Sequence, residues 1–451
     1  MELVIEKIIN GGYGLARNEE GLVVLVPLVL PGETIRTGKI RKSRKHLIAE
    51  TESILEPSSQ RITAPCRYYG YCGGCDLQHA SYDHQLTIKQ SILIEQLGRE
   101  GLFSRTTAEN FLDSVIQSPK CFAYRQRVRL QVDSEGRIGF FRPGTHSVIP
   151  VSRCEIARPE LNTALEYLLS AGQIPELMVR TTKIEMIASP EEEKVHLVFS
   201  LKVKPRKKDV KICAVLCAGS EVVQSIVLKA DGFAPTNPIT AHGESNGENR
   251  GAIRLILGSS PRSPLADTQY AGIVLGNEIG GFTQVNPEQN ENLISTVCNW
   301  AAEVPHGRIL DLYCGMGNFS IPLAFMADEI IGMDLQRSAI RSAQANARQA
   351  GLENCSFRKA AAEEGIGNLI TAGEHFDLLL LDPPRQGSRE IIAHVKASGC
   401  RALIYVSCDP ATLTRDLGLL AEQGFQIKKM RLVDMFPQTH HMETITLLTK
   451  K

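Results

Sequence analysis

The sequence of 451 residues lacks a long apolar run: the longest, from Leu22 to Leu30, is interrupted by Pro27. A membrane-spanning helix needs about 20 consecutive apolar residues, so the sequence predicts no membrane span. A basic and apolar leader after Met1 is also lacking, and we therefore expect a cytoplasmic protein. The formal net charge is zero, which alone argues neither for nor against a nucleic acid partner.

Two clusters of basic residues depart from this even charge balance. Six basic residues lie between Arg36 and Lys45 without an acid among them, and a second cluster lies between Lys202 and Lys208. A solvated surface explains either cluster, and a phosphate-binding surface is the sharper interpretation. The distribution of charge therefore keeps nucleic acid as a candidate partner.

The chain is too long for one hydrophobic core, and its pattern changes twice. Residues 1–55 alternate apolar and polar positions in short runs separated by glycines, which is typical of a small OB-like β-barrel. Residues 56–265 are less regular and are expected to form a central α+β domain. Candidate strands and helices alternate in residues 266–451. We therefore predict three domains with these boundaries.

The central region gives three local predictions. A helix is predicted over residues 82–99. Arg125, Arg127 and Arg129 alternate with apolar residues, as on one face of a strand. Residues 237–250 are rich in Gly, Asn, Ser and Glu, and they predict a loop.

The C-terminal region has the order of a parallel α/β sheet. Helical stretches rich in apolar residues or alanine separate five strand candidates. These are Arg308–Cys314, Glu329–Asp334, Cys355–Lys359, Phe376–Asp382 and Arg401–Cys408. Such alternation predicts a doubly wound, Rossmann-like α/β domain, whose ligands bind at the carboxyl ends of the strands.

The ends of the first two candidate strands indicate a nucleoside cofactor. Gly315 and Gly317 follow the first strand and allow a tight turn with close backbone approach to a ligand. The second strand ends in Asp334, and an acid there accepts hydrogen bonds from ribose hydroxyls. The third glycine of the usual dinucleotide fingerprint is missing, which argues against NAD.

The fourth candidate strand ends in a stiff loop. Asp382 is followed by Pro383 and Pro384, which exclude helix and remove amide donors. An ordinary surface turn is the alternative interpretation of this loop. Together with the glycine loop, Asp382 favours an S-adenosylmethionine-dependent transferase.

The fifth candidate strand ends at Cys408, where a thiol would face the ligand crevice. Asp409 and Pro410 are typical of an N-cap and a first helical residue. The dipole and free amides of a helix start favour the thiolate, so Cys408 is a candidate nucleophile. A packed, unreactive cysteine is the alternative.

At this point the chain resembles the RNA (uracil-5-)-methyltransferases from end to end. Its N-terminal barrel is similar to their RNA-binding TRAM domain, and its cysteines are similar to their iron–sulfur motif. The motifs that carry the resemblance are Gly12-Tyr13-Gly14-Leu15, Cys66-x5-Cys72-x2-Cys75 with Cys154, Phe282-Thr283-Gln284-Val285-Asn286, Asp382-Pro383-Pro384-Arg385-x-Gly387, Tyr405-Val406-Ser407-Cys408, and Pro437-x-Thr439-x-His441-x-Glu443.

The resemblance implies a mechanism and a cofactor site. Cys408 would add to carbon 6 of uracil, and Glu443 would act as the base that removes the proton from carbon 5. The implied partner is RNA, with ribosomal RNA favoured and transfer RNA possible, and no obligate protein partner is evident. Asp334 is shorter than the glutamate often found there, and no side chain is assigned to the adenine. The implied S-adenosylmethionine contacts are Gln284, Tyr313, Asn318, Asp334 and Asp382.

Four of the twelve cysteines are candidate metal ligands. Soft thiolates suit zinc or an iron–sulfur cluster, and the spacing alone does not separate the two. The resemblance favours a [4Fe–4S] cluster with a structural or RNA-holding role, held by Cys66, Cys72, Cys75 and Cys154. A chance grouping is the alternative. We interpret seven others as packing residues: Cys121, Cys213, Cys217, Cys298, Cys314, Cys355 and Cys400.

Two alternatives come from other functional classes. An RNA amino-methyltransferase needs no cysteine nucleophile and typically places an aromatic residue after Asp-Pro-Pro, where this chain has Arg385. A non-catalytic RNA-binding iron–sulfur protein would not need Cys408 and Glu443 together. Both alternatives predict that Cys408 is dispensable.

Overall fold

The computed structural model describes residues 1–99, 101, 112–171, 174–189, 191–245 and 252–450. Three larger sheets and one two-stranded sheet lie in this part of the chain. Among the described residues, no helix is both long and apolar enough to cross a membrane.

The N-terminal region forms a small β-barrel, as predicted. Its strands are β1 (Glu2–Val4), β2 (Lys7–Ile8), β3 (Tyr13–Arg17), β4 (Val23–Pro27), β5 (Thr34–Lys42) and β6 (Leu47–Glu56), in the sheet order β1-β5-β6-β4-β3-β2. The first two strands belong to one short segment; β1 pairs with β5 and β2 with β3. That segment therefore joins the two ends of the sheet and closes it. Buried Val24, Val26 and Ile35 help to fill the interior.

An eight-stranded sheet forms the centre of the second region. Its strands are β7 (Arg127–Val132), β8 (Ile138–Phe141), β9 (Val148–Pro150), β10 (Thr181–Ser189), β11 (Lys194–Leu201), β12 (Val223–Ala230), β13 (Ile239–Thr240) and β14 (Gly243–Glu244). Apolar side chains of the sheet pack with those of three helices. In chain order the helices of this region are α1 (Tyr82–Arg99), α2 (Pro159–Ser170), α3 (Pro175–Arg180) and α4 (Lys207–Ala218).

The local predictions for this region had different outcomes. The helix over residues 82–99 is confirmed as α1, and Arg127 and Arg129 lie on one face of β7. The loop prediction for residues 237–250 is wrong in part, because β13 and β14 pair there as a short antiparallel hairpin. Residues 246–250 of that prediction lie outside the described residues.

The C-terminal region contains the predicted Rossmann-like sheet, preceded by a two-stranded sheet. Strand β15 (Ala252–Ile256) comes before the predicted boundary at residue 265 and pairs with β16 (Val274–Glu278), the first strand of this region. The other strands are β17 (Arg308–Leu312), β18 (Glu329–Asp334), β19 (Cys355–Lys359), β20 (Leu378–Leu381), β21 (Ala402–Ser407), β22 (Phe425–Val433) and β23 (Glu443–Lys450). The helices are α5 (Pro287–Ala301), α6 (Ser320–Leu323), α7 (Arg337–Gln349), α8 (Ala362–Thr371), α9 (Arg389–Val395) and α10 (Pro410–Glu422).

The order of the seven-stranded sheet is β19-β18-β17-β20-β21-β23-β22. The first five strands in this order are parallel, so their carboxyl ends meet at one edge. Strand β23 runs antiparallel to β21, and β22 runs antiparallel to β23. The sequence predicted neither of these two strands. Because β23 is antiparallel to β21, it begins at the edge where β21 ends.

The central region also contributes to the core of the C-terminal sheet. Ile88 and Ile92 of α1 belong to the same buried cluster as Leu413 and Leu417 of α10. Helix α1 therefore packs on the C-terminal region, although it lies far upstream in sequence. The domain boundaries at residues 55 and 265 stay predictions.

Candidate active site

Most of the predicted site residues lie at one edge of the C-terminal sheet. Tyr313 follows β17, Asp334 ends β18, Asp382 follows β20, and Cys408 follows β21. Glu443 begins β23 at the same edge. The sheet therefore collects side chains that are separated by long stretches of sequence.

Strand register brings Cys408 and Glu443 together. Ser407 of β21 pairs with Thr444 of β23, so Cys408 and Glu443 occupy the next position of the same antiparallel ladder. The Glu443 residue is 3% exposed, while Cys408 is half-buried. A thiol and a carboxyl group therefore face one small volume beside Asp382.

The carboxyl groups at this edge are held toward their neutral forms. Burial raises the pKa of Asp382 to about 7. Burial, with a smaller contribution from the Asp382 charge, raises the pKa of Glu443 well above its usual value, and Arg385 opposes that shift. A carboxyl group with a raised pKa is suited to proton transfer near neutral pH.

The expected stabilisation of the Cys408 thiolate is wrong for the structure without substrates. Burial and the nearby Glu443 and Asp382 raise the pKa of the Cys408 thiol to about 12. Asp409 is the N-cap of α10, as predicted, but its Oδ1 accepts from the amides of Ala411 at 3.0 Å and Thr412 at 2.9 Å. The cap therefore uses the amides that were expected to stabilise the thiolate.

A cavity of about 220 Å³ opens beside Cys408. Its walls include Gly11 from the turn between β2 and β3 of the barrel, Arg385, and His440. Arg385 Nη2 lies 3.3 Å from His441 Nε2, and burial lowers the pKa of His441 to about 3, which keeps the imidazole neutral. The barrel and the C-terminal sheet thus line the same pocket.

The glycine loop after β17 has the geometry that the sequence predicted. Gly317 has φ +84°, and a Cβ atom there would lie 2.9 Å from Cγ1 of Ile321. The amide of Gly315 donates to Asp334 Oδ2 at 3.1 Å, and Asp334 Oδ1 accepts from Gln336 at 2.7 Å. Only glycine fits the close approach at residue 317 without displacing a neighbour.

Asn318 and Gln284 are held by residues outside the sheet. The side chains of Asn318 and Asn290 exchange two hydrogen bonds of 2.8 and 2.9 Å. The backbone carbonyl of Gln284 accepts from Gln126 Nε2 at 2.7 Å, and Gln284 lines a small cavity with Met316. These contacts place the Gln284 segment near the glycine loop.

Asp311 is a site residue that sequence reasoning missed. It is fully buried in β17, and burial with the charges of Asp382 and Asp334 raises its pKa to about 7. One carboxyl oxygen accepts from Ser320 Oγ, while Oδ1 has no partner among the described residues. An unpaired buried oxygen beside a glycine cradle fits a polar ligand group. Its position in an Asp-x-x-Cys-Gly-x-Gly run was the available signal.

The four candidate metal ligands line a second cavity, of about 180 Å³. All four are free thiols. Burial raises the pKa of Cys72 to about 11, with contributions from Cys154 and Cys66. Within the described part of the chain, no three Cys, His, Asp or Glu side chains are close enough to hold one metal ion. The cysteines line this cavity together with tyrosine, arginine and apolar side chains.

The comparisons with known proteins agree with this geometry. Residues 272–451 match the model of the tRNA (Uracil-5-)-methyltransferase family. The 23S rRNA (uracil(1939)-C(5))-methyltransferase RlmD of Pseudomonas aeruginosa strain UCBPP-PA14 is 32% identical over 99% of this chain and 93% of its own length. The protein of the same name from Shewanella amazonensis is 33% identical over 99% of this chain and 94% of its own length.

A solved structure supports the same architecture. The Pyrococcus abyssi tRNA (uracil-54, C5)-methyltransferase, crystallised with S-adenosyl-L-homocysteine, aligns over 100% of both chains with a TM-score of 0.73 and 24% identity. This likeness supports the fold of the whole chain. With the end-to-end relatives and the motifs at the strand ends, it leads to one conclusion: the chain belongs to the RNA (uracil-5-)-methyltransferase family.

Proposed function

We propose that this protein transfers a methyl group from S-adenosylmethionine to carbon 5 of a uridine in RNA, with 23S ribosomal RNA as the favoured substrate. The observation that carries the proposal is the adjacent register of Cys408 and Glu443 beside Asp382. The ribosomal preference rests on relatives named for 23S rRNA that cover 99% of the chain.

S-adenosylmethionine supplies the methyl group and is assigned to the edge formed by β17, β18 and β20. The unpaired Asp311 Oδ1 and the close approach at Gly317 support a ligand there. The contacts proposed for it are Gln284, Tyr313, Asn318, Asp334 and Asp382. Asp334 already binds the Gly315 amide, so it would hold both the loop and the ribose.

Carbon 5 of uracil needs activation, and Cys408 is proposed to provide it. The Cys408 thiol first loses its proton to solvent in the open cavity, and the thiolate then adds to carbon 6 and moves the electrons of the ring double bond toward oxygen 4 as an enolate. Carbon 5 then takes the methyl group, leaving S-adenosylhomocysteine. Glu443 removes the proton from carbon 5, and the ring double bond re-forms as the bond from sulfur to carbon 6 breaks.

Arg385 is proposed to favour the ionised forms of Cys408 and Glu443. Without substrates, Cys408 and Glu443 favour their neutral forms, whereas the reaction uses a thiolate and a carboxylate. The Arg385 charge lowers the pKa of both groups, against the effects of burial.

Four cysteines are proposed to hold a [4Fe–4S] cluster: Cys66, Cys72, Cys75 and Cys154. All four line one cavity of about 180 Å³, and the resemblance of their spacing to the family's motif favours a cluster over a single zinc ion. The proposed methyl transfer needs no electron, so a structural or RNA-holding role is proposed for the cluster. Iron and acid-labile sulfide in purified protein support the cluster, and zinc without iron contradicts it.

The barrel is proposed to bind RNA as a TRAM-type domain. Its strand β5 carries exposed Arg36, Lys39, Arg41 and Lys42, and Gly11 lines the Cys408 cavity. One wall of the target pocket would then come from the RNA-binding barrel itself. Phosphate contacts by exposed cations would make binding strongly dependent on salt.

The test is to incubate the protein with labelled S-adenosylmethionine and unmodified total RNA, then map the product by mass spectrometry. We expect 5-methyluridine at a discrete position in 23S rRNA. Label in transfer RNA alone would keep the chemistry and change the substrate. Label on a purine amino group, or no incorporation, would contradict the proposal.

A further inference from the structure

The segment Pro437–Met442 is the last part of the connection between β22 and β23 and leads directly into Glu443. Its His440 lines the Cys408 cavity. Gln438 has φ +72°, a left-handed conformation that residues with side chains rarely adopt. Such a conformation persists only where surrounding contacts hold it. The contacts of this segment therefore identify the residues that fix the backbone before Glu443.

Asp76 supplies those contacts from outside the sheet. Its Oδ1 accepts from the backbone amide of His440 at 2.7 Å, and its Oδ2 lies 2.5 Å from His440 Nδ1. The amides of Asp76 and Leu77 both donate to the carbonyl of Gln438, at 3.1 and 3.0 Å. Four hydrogen bonds thus join two segments that are 364 residues apart at Asp76 and His440.

Further contacts make this junction compact. The side chains of Asp76 and His440 are 30% and 17% exposed. A Cβ atom on Gly12 of the barrel would lie 3.1 Å from both Asp76 Cγ and His440 Nδ1. Gln85 of α1 adds two hydrogen bonds to Gln438, of 2.9 and 3.0 Å. Three parts of the chain therefore meet at Asp76: the barrel, the segment that carries Cys66, Cys72 and Cys75 (the cysteine segment), and the segment before Glu443.

We propose that Asp76 is a positioning residue for Glu443. Glu443 itself pairs with Val433 of β22, the pairing of Thr444 with Ser407 holds its C-terminal side, and Asp76 holds its N-terminal side through His440. Cys408 and the cofactor loops are held by other strands. Loss of Asp76 therefore slows the removal of the carbon 5 proton selectively, and leaves the earlier attack and methyl transfer in place.

The inference rests on the proposed function, and it predicts a trapped intermediate. In Asp76→Ala, both side-chain bonds to His440 are lost, and we expect turnover to fall by about 10²-fold, as misplacement of a reacting group by about 1 Å can cause. The methylated RNA should stay bonded to Cys408. In His440→Ala the bond from the backbone amide to Asp76 remains, so a smaller loss of about ten-fold is expected.

Two readouts separate positioning from a general loss of structure. RNA tritiated at carbon 5 of uridine reports proton release, and a denaturing gel reports the covalent complex of RNA and protein. Asp133→Ala is the matched control, because Asp133 accepts hydrogen bonds within an exposed turn between β7 and β8 and is not among the residues that line the Cys408 cavity. Glu443→Gln is the benchmark for a missing base. The KM for S-adenosylmethionine should stay unchanged in Asp76→Ala.

The expected result is an RNA adduct in Asp76→Ala and Glu443→Gln, slow tritium release in both, and neither effect in Asp133→Ala. Tritium release at the control rate with no adduct in Asp76→Ala would overturn the inference while the Glu443→Gln adduct upheld the reaction. An absent adduct in Glu443→Gln would instead overturn the proposed reaction. Iron content is measured in each variant, and if Asp76→Ala loses iron or does not fold, His440→Ala decides by the same two readouts.

Discussion

The pocket of Cys408 and the cavity of the four cysteines hold the same functional group among different neighbours. Cys408 lies beside Glu443, Asp382 and Arg385, whereas Cys72 lies beside other thiols. Burial raises the thiol pKa in both places, to about 12 for Cys408 and about 11 for Cys72. A raised pKa therefore does not distinguish nucleophile from ligand. The surrounding groups do, because carboxylates can move protons and thiolates can bind metal.

The largest expected effect separates Cys408 from an ordinary buried thiol. Cys408→Ala should abolish methyl transfer, because the thiol that adds to carbon 6 of uracil is lost, while calorimetry should show unchanged binding of S-adenosylmethionine. Cys355→Ala is the matched control: burial raises the pKa of Cys355 to about 11, yet no charged group contributes to that shift. Full activity is expected of it. Methylation by Cys408→Ala would remove the distinction between the two cysteines.

The second-largest expected effect concerns the four cysteines of the other cavity. Cys75→Ser should lose most of its iron, because a serine hydroxyl is a poor ligand for an iron–sulfur cluster, and methyl transfer should fall less than in Cys408→Ala. The absorbance of the cluster and the iron content are the measurements. Cys121→Ser, half-buried outside the cavity, should keep both. Normal iron content in Cys75→Ser would show that these cysteines do not hold a cluster.

Local sequence patterns indicated the candidate residues of both sites, but not the contact that joins two distant segments of the chain. Strand ends were predictable, because apolar runs between helical stretches mark Asp334, Asp382 and Cys408 locally. The cysteine spacing of the second site is also local, apart from Cys154. The contact between Asp76 and His440 was not predictable, since it depends on the packing of the cysteine segment against the turn before β23.

The same distinction applies to the fold. The parallel arrangement of β17 to β21 follows from the alternation of strands and helices. Each of these elements has a periodicity that can be recognised in a short stretch of sequence. The insertion of β23 between β21 and β22 is a pairing choice that no local pattern records, and it sets the position of Glu443. The thiol pKa was predicted in the wrong direction because burial and the nearby Glu443 and Asp382 raise it, and no local sequence pattern records those neighbours.

The smallest expected effect is a pH dependence that only the Cys408 pocket should have. Glu443 must be ionised to take a proton, and both burial and the Asp382 charge raise its pKa, while Asp382 itself has a pKa of about 7. A group with a raised pKa becomes neutral as the pH falls. We therefore expect kcat/KM to fall by about ten-fold per pH unit on the acidic side, with iron content unchanged over the same range.

Asp382→Asn tests the cause of that pH dependence. Removing the Asp382 charge lowers the pKa of Glu443, so the midpoint of the acidic limb should move to lower pH, by less than about one unit because burial remains the larger cause. The position of the midpoint is the measurement, since the amplitude also reflects the lost cofactor contact. A midpoint that stayed in place would assign the limb to a group other than Glu443. The ionisation of Glu443 would then no longer distinguish the Cys408 pocket from the cavity of the four cysteines.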